Sequence, residues 1–251
     1  MTRLFGCVCG QFHSPGAGMG LAAERVTVPI PFYVIEHPDG VALFDAGLHD
    51  DMQAAEDPYR QQLRRQGMDV SLTAEETVAH HLERLEIDAE KVRYVVLSHL
   101  HFDHAGGLNR LPNATLVVQS REWAAGADDE TARRYFLPKR FFDLGHEVRL
   151  VDGEHDLFGD GSVTCLPSHG HTPGHQSLRV RSAQGDHILV GDACYTAEAA
   201  MNRTFPAFAD QAAMNQALDA LLARRDRDTV VIYGHDPGQW GDKALLPSVR
   251  P

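Results

Sequence analysis

The chain has 251 residues and a formal net charge of −12, with 43% hydrophobic and 23% charged residues. This length and composition are typical of a folded protein with a large buried core, so we predict a single domain over residues 1–251 rather than a disordered chain. The acidic balance disfavours nucleic acid as a partner, and no apolar run approaches the length of a membrane span.

The N-terminal segment, MTRLFGCVCGQFHS, has one basic residue and a short apolar stretch interrupted by glycines. This stretch is too short for the apolar region of a secretory signal, so we expect a cytoplasmic protein. A reducing compartment keeps cysteines as thiols. Cys7 and Cys9 are a weak candidate for a metal-binding pair, and the alternation of side chains along a strand explains their spacing better.

Residues 25–36 and 41–45 are rich in β-branched and aromatic side chains, and the HPDG sequence between them is typical of a turn. Together they predict a β-hairpin. Residues 46–72 are polar and include a proline and a glycine. We therefore expect a long loop or lid with little regular structure there, and loops of that length often have a function.

Thr73 and Glu76 form a capping box that predicts a helix over residues 74–86. Residues 92–98, VRYVVLS, are a nearly continuous apolar run, as in a strand that is covered on both faces. Further strands are predicted at residues 115–118, 148–151, 162–166, 177–181, 187–190 and 229–233, and further helices near residues 121–127, 129–136 and 211–225. This order of elements indicates sheets packed together with helices outside.

The run SHLHFDHAGG directly follows the predicted strand at residues 92–98 and contains four potential metal ligands: His99, His101, Asp103 and His104. Imidazole and carboxylate groups suit zinc, iron, cobalt or manganese. A strand that enters a glycine-ended turn can direct these side chains to different sides. Two neighbouring ions can then each take two of them.

Three more candidate ligands stand just after apolar runs, where strands would end: His171 in SHGHTPGHQSL, Asp192 in ILVGDACYT and His235 in VVIYGHD. The alternative is that these histidines cluster by chance or act as hydrogen-bonded core residues. A lone histidine usually has that role, but it is a poor explanation for ligands placed at one predicted strand end after another. We therefore predict a metal site.

The order and composition of these motifs, from LFDAG at Leu43 to GHD at His235, resemble the metallo-β-lactamase superfamily. The resemblance implies a metal-dependent hydrolase of α/β (α+β) class, an αββα sandwich with two sheets between helical layers. It also implies two divalent metal ions, zinc first, with iron, cobalt or manganese as alternatives. The first ion would be held by His99, His101 and His171, the second by Asp103, His104 and His235, and Asp192 would bridge them.

Within the superfamily, the chain most resembles the N-acyl homoserine lactonases. The runs SHLHFDHAGG and GHTPGHQSL match that family, and Tyr195 stands three residues after Asp192, where the family has a tyrosine that helps to bind the lactone. Phe102 matches an aromatic residue that the family places near the substrate. The FPAFAD segment, with Phe205 and Phe208, resembles a segment that lines the pocket. The GQFHSPGAGMG segment has no residue-by-residue match, so the acyl-chain preference stays open.

Three neighbouring histidines are candidates for one place in the ligand set. By the family pattern the ligand is His171, the first histidine of GHTPGH, while His175 orients a neighbouring loop and His169 is the alternative ligand. Asp45, in LFDAG, is predicted to hold a ligand or loop through hydrogen bonds. A turn-forming aspartate is an equally good interpretation of that position. Cys194 is expected to pack in the core.

These features predict a lactonase that opens N-acyl homoserine lactones, the signals of quorum sensing. Two close metal ions can lower the pKa of a bridging water to about 7, and the resulting hydroxide would attack the lactone carbonyl. Tyr195 would donate a hydrogen bond to the developing oxyanion, and Asp103 would pass a proton to the leaving alkoxide.

Several alternatives share the metal ligands. Another small lactone, for example one derived from pyridoxine, fits equally well. A thioesterase of the glyoxalase II type is disfavoured because little chain follows His235, a phosphodiesterase because of the acidic balance and Tyr195, and a diiron flavoprotein because it would have glutamate at His101. A non-catalytic lactone-binding protein is disfavoured by the complete ligand set. The sequence leaves the native metal and the oligomeric state open, a homodimer included.

Overall fold

Two β-sheets lie face to face at the centre of the computed structural model, which describes residues 1–240. The first sheet contains β1 (Arg3–Pro15), β2 (Arg25–His37), β3 (Gly40–Phe44), β4 (Asp69–Ser71), β5 (Val92–Val96), β6 (Thr115–Gln119) and β7 (Val148–Val151). The second contains β8 (His155–Asp156), β9 (Val163–Pro167), β10 (Gln176–Ser182), β11 (Gly185–Leu189) and β12 (Val230–Ile232). The strand orders are β4-β1-β2-β3-β5-β6-β7 and β12-β11-β10-β9-β8.

The directions of the strands decide where their connecting segments lie. Because β3, β5 and β6 are mutually parallel, the segments that follow them leave the first sheet at one edge. In the second sheet β9 and β11 are both antiparallel to β10, and β12 is parallel to β11, so the segments after these three strands also share an edge. Segments at the carboxyl ends of parallel strands are a frequent place for a functional site.

Helices cover the outer faces of both sheets. They are α1 (Pro58–Arg65), α2 (Val78–Arg84), α3 (Phe102–Ala105), α4 (Ser120–Ala127), α5 (Asp129–Arg134), α6 (Ala197–Asn202) and α7 (Gln211–Leu222). Buried residues of α1, α2, α4 and α5 pack against the first sheet, and those of α6 and α7 pack against the second. No helix among residues 1–240 is both long and apolar enough to span a membrane.

Successive side chains of each strand point alternately to the space between the sheets and to the outer helices. In β3, Ala42 and Phe44 pack between the two sheets, whereas Leu43 packs towards the outer helices, as the two-residue period of a strand requires. Residues of the second sheet divide in the same way, with Leu189 between the sheets and Ile188 facing α6 and α7. The αββα sandwich that the resemblance implied is therefore confirmed.

Most of the elements predicted from the sequence are present, with ends displaced by a few residues. The hairpin is confirmed, because β2 and β3 pair antiparallel across the HPDG turn. The strand β1 was indicated only by the alternation of Cys7 and Cys9, and both thiols are buried in it. Its pattern is hard to see because the pairing shifts between Val8 and Gln11. Gly10, with a φ of 76°, lies in this shift, and a side chain there would collide with the backbone of β4.

The prediction of an irregular loop over residues 46–72 is wrong. The segment contains a 3₁₀ turn at Asp50–Gln53, the helix α1 and the strand β4. The Asp57 carboxylate accepts hydrogen bonds from the backbone N–H groups of Tyr59 and Arg60, at 2.9 and 2.8 Å, and so caps α1. Leu63 is the buried residue of α1, so the helix lacks the repeated apolar residues, three or four positions apart, from which a helix is predicted.

The single helix predicted over residues 74–86 is also wrong, because it is interrupted. The capping box of Thr73 and Glu76 is present, but it caps only a 3₁₀ turn at Ala74–Glu76. Thr77 is extended, and its hydroxyl accepts a hydrogen bond from the backbone N–H of His80 to start α2. Two successive capping residues therefore divide the predicted helix into two pieces.

We predict that Asp57→Ala lowers the free energy of unfolding by about 1–2 kcal/mol, because it removes the cap of α1. Asp57 is 6% exposed and also lies 3.2 Å from the Arg140 guanidinium, so water cannot easily replace either contact. Urea denaturation of the two proteins measures the difference. Glu56→Ala, at the exposed neighbouring position, is the control, and equal stability of Asp57→Ala and wild type would contradict the assigned cap.

Candidate metal centre

The seven predicted ligands meet where the carboxyl edges of the two sheets adjoin. His99 and His101 follow β5, and Asp103 and His104 lie in the short helix α3 immediately after them. From the second sheet come His171 after β9, Asp192 in a 3₁₀ turn after β11, and His235 after β12. Each sheet thus contributes part of the site, and all seven side chains are at most 9% exposed.

The first ligand group consists of His99, His101, His171 and Asp192. The Nδ1 atom of His101 lies 2.8 Å from Nε2 of His99 and 3.1 Å from Nε2 of His171. An Asp192 oxygen, Oδ2, lies 3.2 Å from the same His171 atom. Ligand atoms around one tetrahedral zinc ion are about 3.3 Å apart, given bonds of about 2.0–2.1 Å. The spacing is therefore that of one metal-binding group.

The second ligand group consists of Asp103, His104 and His235. The Oδ2 atom of Asp103 lies 3.7 Å from Nε2 of His104 and 3.9 Å from Nε2 of His235. Asp192 reaches this group too, since its Oδ2 atom is 3.4 Å from His104 Nε2 and its Oδ1 atom is 3.1 Å from His235 Nε2. The Asp192 carboxylate thus lies between both groups, as the bridging role requires.

Unpaired polar atoms support a cation at this position. His104 Nε2 and Asp192 Oδ1 are buried and have no hydrogen-bond partner among residues 1–240. A buried polar atom without a partner costs about 1–3 kcal/mol, and a divalent cation between the ligands would satisfy both atoms. The imidazole and carboxylate donors are also those that divalent transition metals bind. The residues present therefore fit a divalent-metal site.

A hydrogen bond holds the second ring nitrogen of four of the five ligand histidines, which are His101, His235, His104 and His99. Nε2 of His101 lies 2.6 Å from the carbonyl oxygen of Tyr135, and Nδ1 of His235 lies 2.8 Å from that of Pro29. A carbonyl oxygen can only accept, so these nitrogens carry the protons and the opposite nitrogens are free to bind metal. Such contacts orient the ring and strengthen it as a ligand.

Asp45 holds the third of these histidines. Its Oδ2 atom lies 2.8 Å from Nδ1 of His104, and its Oδ1 atom accepts the backbone N–H of Ser98 at 2.7 Å. The backbone of Asp45 is left-handed, with a φ of 62°, a conformation that costs a residue other than glycine about 1–2 kcal/mol. The position immediately after β3 thus combines both interpretations from the sequence, a tight turn and a carboxylate that supports a ligand.

The three histidines of the first ligand group are in the protonation state that metal binding requires, because a ligand nitrogen must be unprotonated. Burial lowers the pKa of His99 and of His171 well below the ordinary value, so both rings are neutral near pH 7. Burial acts to raise the pKa of Asp192, but the neighbouring rings of His104 and His235 hold it well below its usual range. Asp192 is therefore a carboxylate at the centre of the two groups.

His175 and His169 both lie outside the ligand groups. Nε2 of His175 accepts the backbone N–H of Asp192 at 3.0 Å, and burial lowers the pKa of this ring to about 3, which keeps it neutral. His175 thus positions the Asp192 backbone, a more specific contact than the loop orientation expected from the sequence. Nδ1 of His169 lies 3.1 Å from the His175 carbonyl oxygen, and this ring is not among the metal-binding residues.

A buried glutamate that the sequence analysis did not single out joins two ligand-bearing segments. Glu122, in the first turn of α4, is fully buried. Its Oε1 atom accepts the backbone N–H of Leu100 at 3.1 Å, and its Oε2 atom accepts that of Gly174 at 2.8 Å. Leu100 stands between two ligands, and a side chain at Gly174 would come within 2.1 Å of the Glu122 backbone nitrogen. Burial raises the pKa of Glu122 to about 7.

A cavity of about 250 Å³ opens onto the ligand groups. Three of the four predicted substrate-binding residues, Phe102, Tyr195 and Phe208, line it. Phe205 does not, because its ring is 7% exposed and packs in the core between the second sheet and α7. The wall residues Met19, Tyr59, Leu63 and Phe136 were not identified from the sequence. Met19 lies in a 3₁₀ turn after β1, and Tyr59 and Leu63 lie in α1, and no regular structure was predicted for either segment.

Comparisons with known proteins agree with this geometry. A family model of the metallo-beta-lactamase superfamily matches residues 26–235. The chain is 34% identical to the N-acyl homoserine lactonase AttM of Azorhizobium caulinodans, over 92% of this chain and 90% of that protein. It is similar in structure to an N-acyl homoserine lactone hydrolase with the product N-hexanoyl-L-homoserine at its catalytic metal centre, with a TM-score of 0.83, 24% identity and coverage of 94% of both chains. The dizinc quorum-quenching lactonase AidC gives a TM-score of 0.69 at 16% identity, covering 94% of this chain and 88% of that one.

We predict that Asp192→Asn makes binding at both metal groups substoichiometric, because the neutral amide offers one weaker oxygen in place of a shared carboxylate. The measurement is metal per protein by plasma mass spectrometry after dialysis. Asp152→Asn, at an exposed position, is the control for the loss of one negative charge. Full loading of Asp192→Asn would contradict the shared position of this carboxylate.

We also predict that Glu122→Gln weakens metal binding by about 10–100-fold, the range found when groups that support ligands are removed. The amide has a single acceptor oxygen, so it can hold only one of the two ligand-bearing segments. Competition with a chromogenic chelator measures the affinity. Glu130→Gln, exposed in α5, should behave as wild type, and unchanged affinity in Glu122→Gln would show that Glu122 does not position the ligands.

Proposed function

This chain belongs to the metallo-beta-lactamase superfamily and, within it, to the N-acyl homoserine lactonase family, and on that premise we propose that it opens the lactone ring of N-acyl homoserine lactones. The observation that supports the proposal is that all seven predicted metal ligands lie together, in two groups that could each hold a metal ion, next to a largely apolar cavity. The hydroxyl group of Tyr195 is available in the same cavity. A small, mostly apolar ester fits such a site better than a charged phosphodiester does.

We propose that the site holds two divalent ions, and that they are zinc. Each ligand group offers nitrogen and oxygen donors, the usual set for four-coordinate zinc with a position left for water or substrate. Iron, cobalt and manganese accept the same donors and stay as alternatives. When bound, such ions lower the pKa of water to about 7 and polarise the substrate carbonyl.

Tyr195 is suited to donate a hydrogen bond to the reacting carbonyl oxygen. Its ring lies against two ligand histidines, with centroids 5.7 Å from His171 and 5.4 Å from His235. Burial, Asp192 and Asp103 together raise the pKa of Tyr195 well above its ordinary value, so the phenol keeps its proton. A fixed donor that faces the developing negative charge stabilises the transition state more than the ground state.

Asp103 is placed to carry the proton that the reaction needs. Hydrolysis adds a water oxygen to the lactone carbonyl carbon and breaks the bond from that carbon to the ring oxygen, which leaves as an alkoxide. The Asp103 carboxylate lines the cavity and belongs to the second ligand group, so it lies beside the reacting atoms. It can take the proton from the attacking water and give it to the leaving oxygen.

The cavity walls keep water away and hold the acyl group. Phe208 packs its ring 5.2 Å from the ring of His171 and 6.1 Å from that of His101, so it covers one side of the metal centre. Phe102 also lines the cavity, and its ring makes an edge contact with Phe12 and a tilted contact with Tyr59. An apolar wall of this kind favours an acyl chain by about 0.8 kcal/mol for each buried methylene.

We also propose a cytoplasmic location and a single domain for this protein. The location is supported by the four free cysteines, all of which are buried as thiols. Burial raises the pKa of Cys7 and Cys9 to about 12, so neither is a reactive thiolate and a metal site at this pair is not supported.

The test of the proposed function is hydrolysis of a substrate panel by zinc-loaded protein. The panel contains hexanoyl homoserine lactone, a lactone derived from pyridoxine, a glutathione thioester and an aryl phosphodiester, each with a chelated sample as control. Chelator-sensitive opening of the homoserine lactone, faster than turnover of the others, is the expected result. A preference for the thioester or the phosphodiester would refute the proposal.

We predict that Tyr195→Phe lowers kcat for hexanoyl homoserine lactone by roughly 100-fold, the size of effect expected when one donor to an oxyanion is removed. Metal content should be unchanged, because the hydroxyl is not a ligand. Steady-state kinetics and metal analysis test the two parts separately. Tyr233→Phe, outside the cavity, is the matched control. An unchanged kcat in Tyr195→Phe would remove this tyrosine from the mechanism.

A further inference from the structure

A second groove, of about 550 Å³, adjoins the cavity of the metal centre. Three side chains, those of Tyr59, Gln62 and Phe136, line both spaces and therefore form the boundary between them. The cavity alone is small for a small-molecule site, since such sites typically measure about 300–1,000 Å³. A substrate with a long chain needs more room than the cavity offers, and the groove is the adjacent space.

Phe136 occupies this boundary in a conformation that side chains disfavour. Its φ is 59°, in the left-handed region. It follows Tyr135 at the C-terminal end of α5, where the backbone N–H of Leu137 bonds to the carbonyl oxygen of Ala132 at 2.8 Å. Glycine is the usual residue at that position of such a helix end. Glu86 has the same backbone conformation at the end of α2, so the conformation alone does not assign a function. Helix termination, however, gives no reason for a phenylalanine at this position.

Burial does not explain the phenylalanine either. The residue is 52% exposed, one of few large hydrophobic residues that are exposed among residues 1–240. Its ring makes an edge contact with Phe208, with centroids 5.7 Å apart and planes at 81°. Since Phe208 itself covers the ring of His171, Phe136 lies one aromatic ring further from the metal centre. It can therefore meet the part of a substrate that is remote from the reacting lactone.

The groove beyond Phe136 suits an alkyl chain better than a charged group. Ala132, Leu137 and Pro138 provide apolar surface. Its two cations are already engaged: Lys139 Nζ lies 2.7 Å from Asp129 Oδ1, and Arg133 Nε donates to the Asp129 carbonyl oxygen at 3.1 Å. The charged side chains that line the groove, Asp129, Arg133 and Lys139, sum to a single positive charge, whereas the apolar surface favours methylene groups.

We propose that Phe136 determines the acyl-chain specificity of this enzyme, because its ring closes the cavity towards the second groove. The inference rests on the proposed lactonase function. A short acyl chain fits within the cavity together with the lactone ring. A long chain must displace or pass the Phe136 ring, and its end then lies on the apolar surface of the groove.

The test compares butanoyl and decanoyl homoserine lactone as substrates of zinc-loaded wild type, Phe136→Ala and Phe136→Gly. Both variants remove the ring, but only glycine also relieves the left-handed strain. We expect the ratio of kcat/KM for decanoyl over butanoyl substrate to rise by about tenfold in both, since each methylene newly buried favours binding about fourfold. Calorimetric binding of ring-opened decanoyl homoserine should strengthen in parallel.

Glu86→Gly is the matched control. Glu86 has a φ of 59°, follows the C-terminal end of α2 in the same arrangement, and lies outside both cavities. It should raise the melting temperature and keep the wild-type ratio. An unchanged ratio in both Phe136 variants, an equal change for both chain lengths, or a loss confined to decanoyl substrate would overturn the inference. Absence of lactone hydrolysis by wild type would instead overturn the proposed function.

Discussion

One carboxylate, that of Asp192, is the constraint on which the site depends. Its Oδ2 atom lies within 3.4 Å of a histidine nitrogen in each ligand group. The positions of both groups relative to this carboxylate must therefore be accurate to a fraction of an ångström. No single element of the fold can do this. His171, Asp192 and His235 come from the second sheet, whereas the other ligands come from the first. The face-to-face packing of the sheets, with its apolar core of Phe44, Val96 and Leu189, therefore fixes the metal geometry at the same time as it stabilises the fold.

Buried polar contacts, together with the packing of the sheets, hold the ligand-bearing segments in place. Asp45 ties the segment after β3 to that after β5, Glu122 ties the latter to the segment that bears His171, and His175 holds the Asp192 backbone. Each contact joins two segments that end at the same edge, and each is almost inaccessible to water. A polar group in that position is costly unless it is paired, which is why these contacts hold the segments in one arrangement.

The candidate metal ligands could be predicted from the sequence because they stand in short motifs at the ends of predicted strands, and the structure brings all seven together. Most of the cavity walls could not be predicted. α1 has few buried residues, and the pairing of β1 shifts at Gly10. Neither segment therefore shows the regular spacing of apolar residues that predicts a helix or a strand. Glu122 looks like any acidic residue at the start of a helix until its burial is known. Phe136 stands where glycine is expected, and nothing in the sequence shows its left-handed backbone. Pattern reasoning thus found the proposed ligands and two of the residues that position them, Asp45 and His175, and it missed Glu122 and most of the residues that line the cavity.

Anomalous diffraction at the zinc edge, from crystals of the zinc-loaded protein, tests the position of Asp192 between two metal ions. We expect two peaks, one within bonding distance of His99, His101 and His171, the other of Asp103, His104 and His235, with an oxygen of Asp192 bound to each. A single peak, or two peaks of which only one contacts Asp192, would contradict the central claim that this carboxylate joins two metal sites.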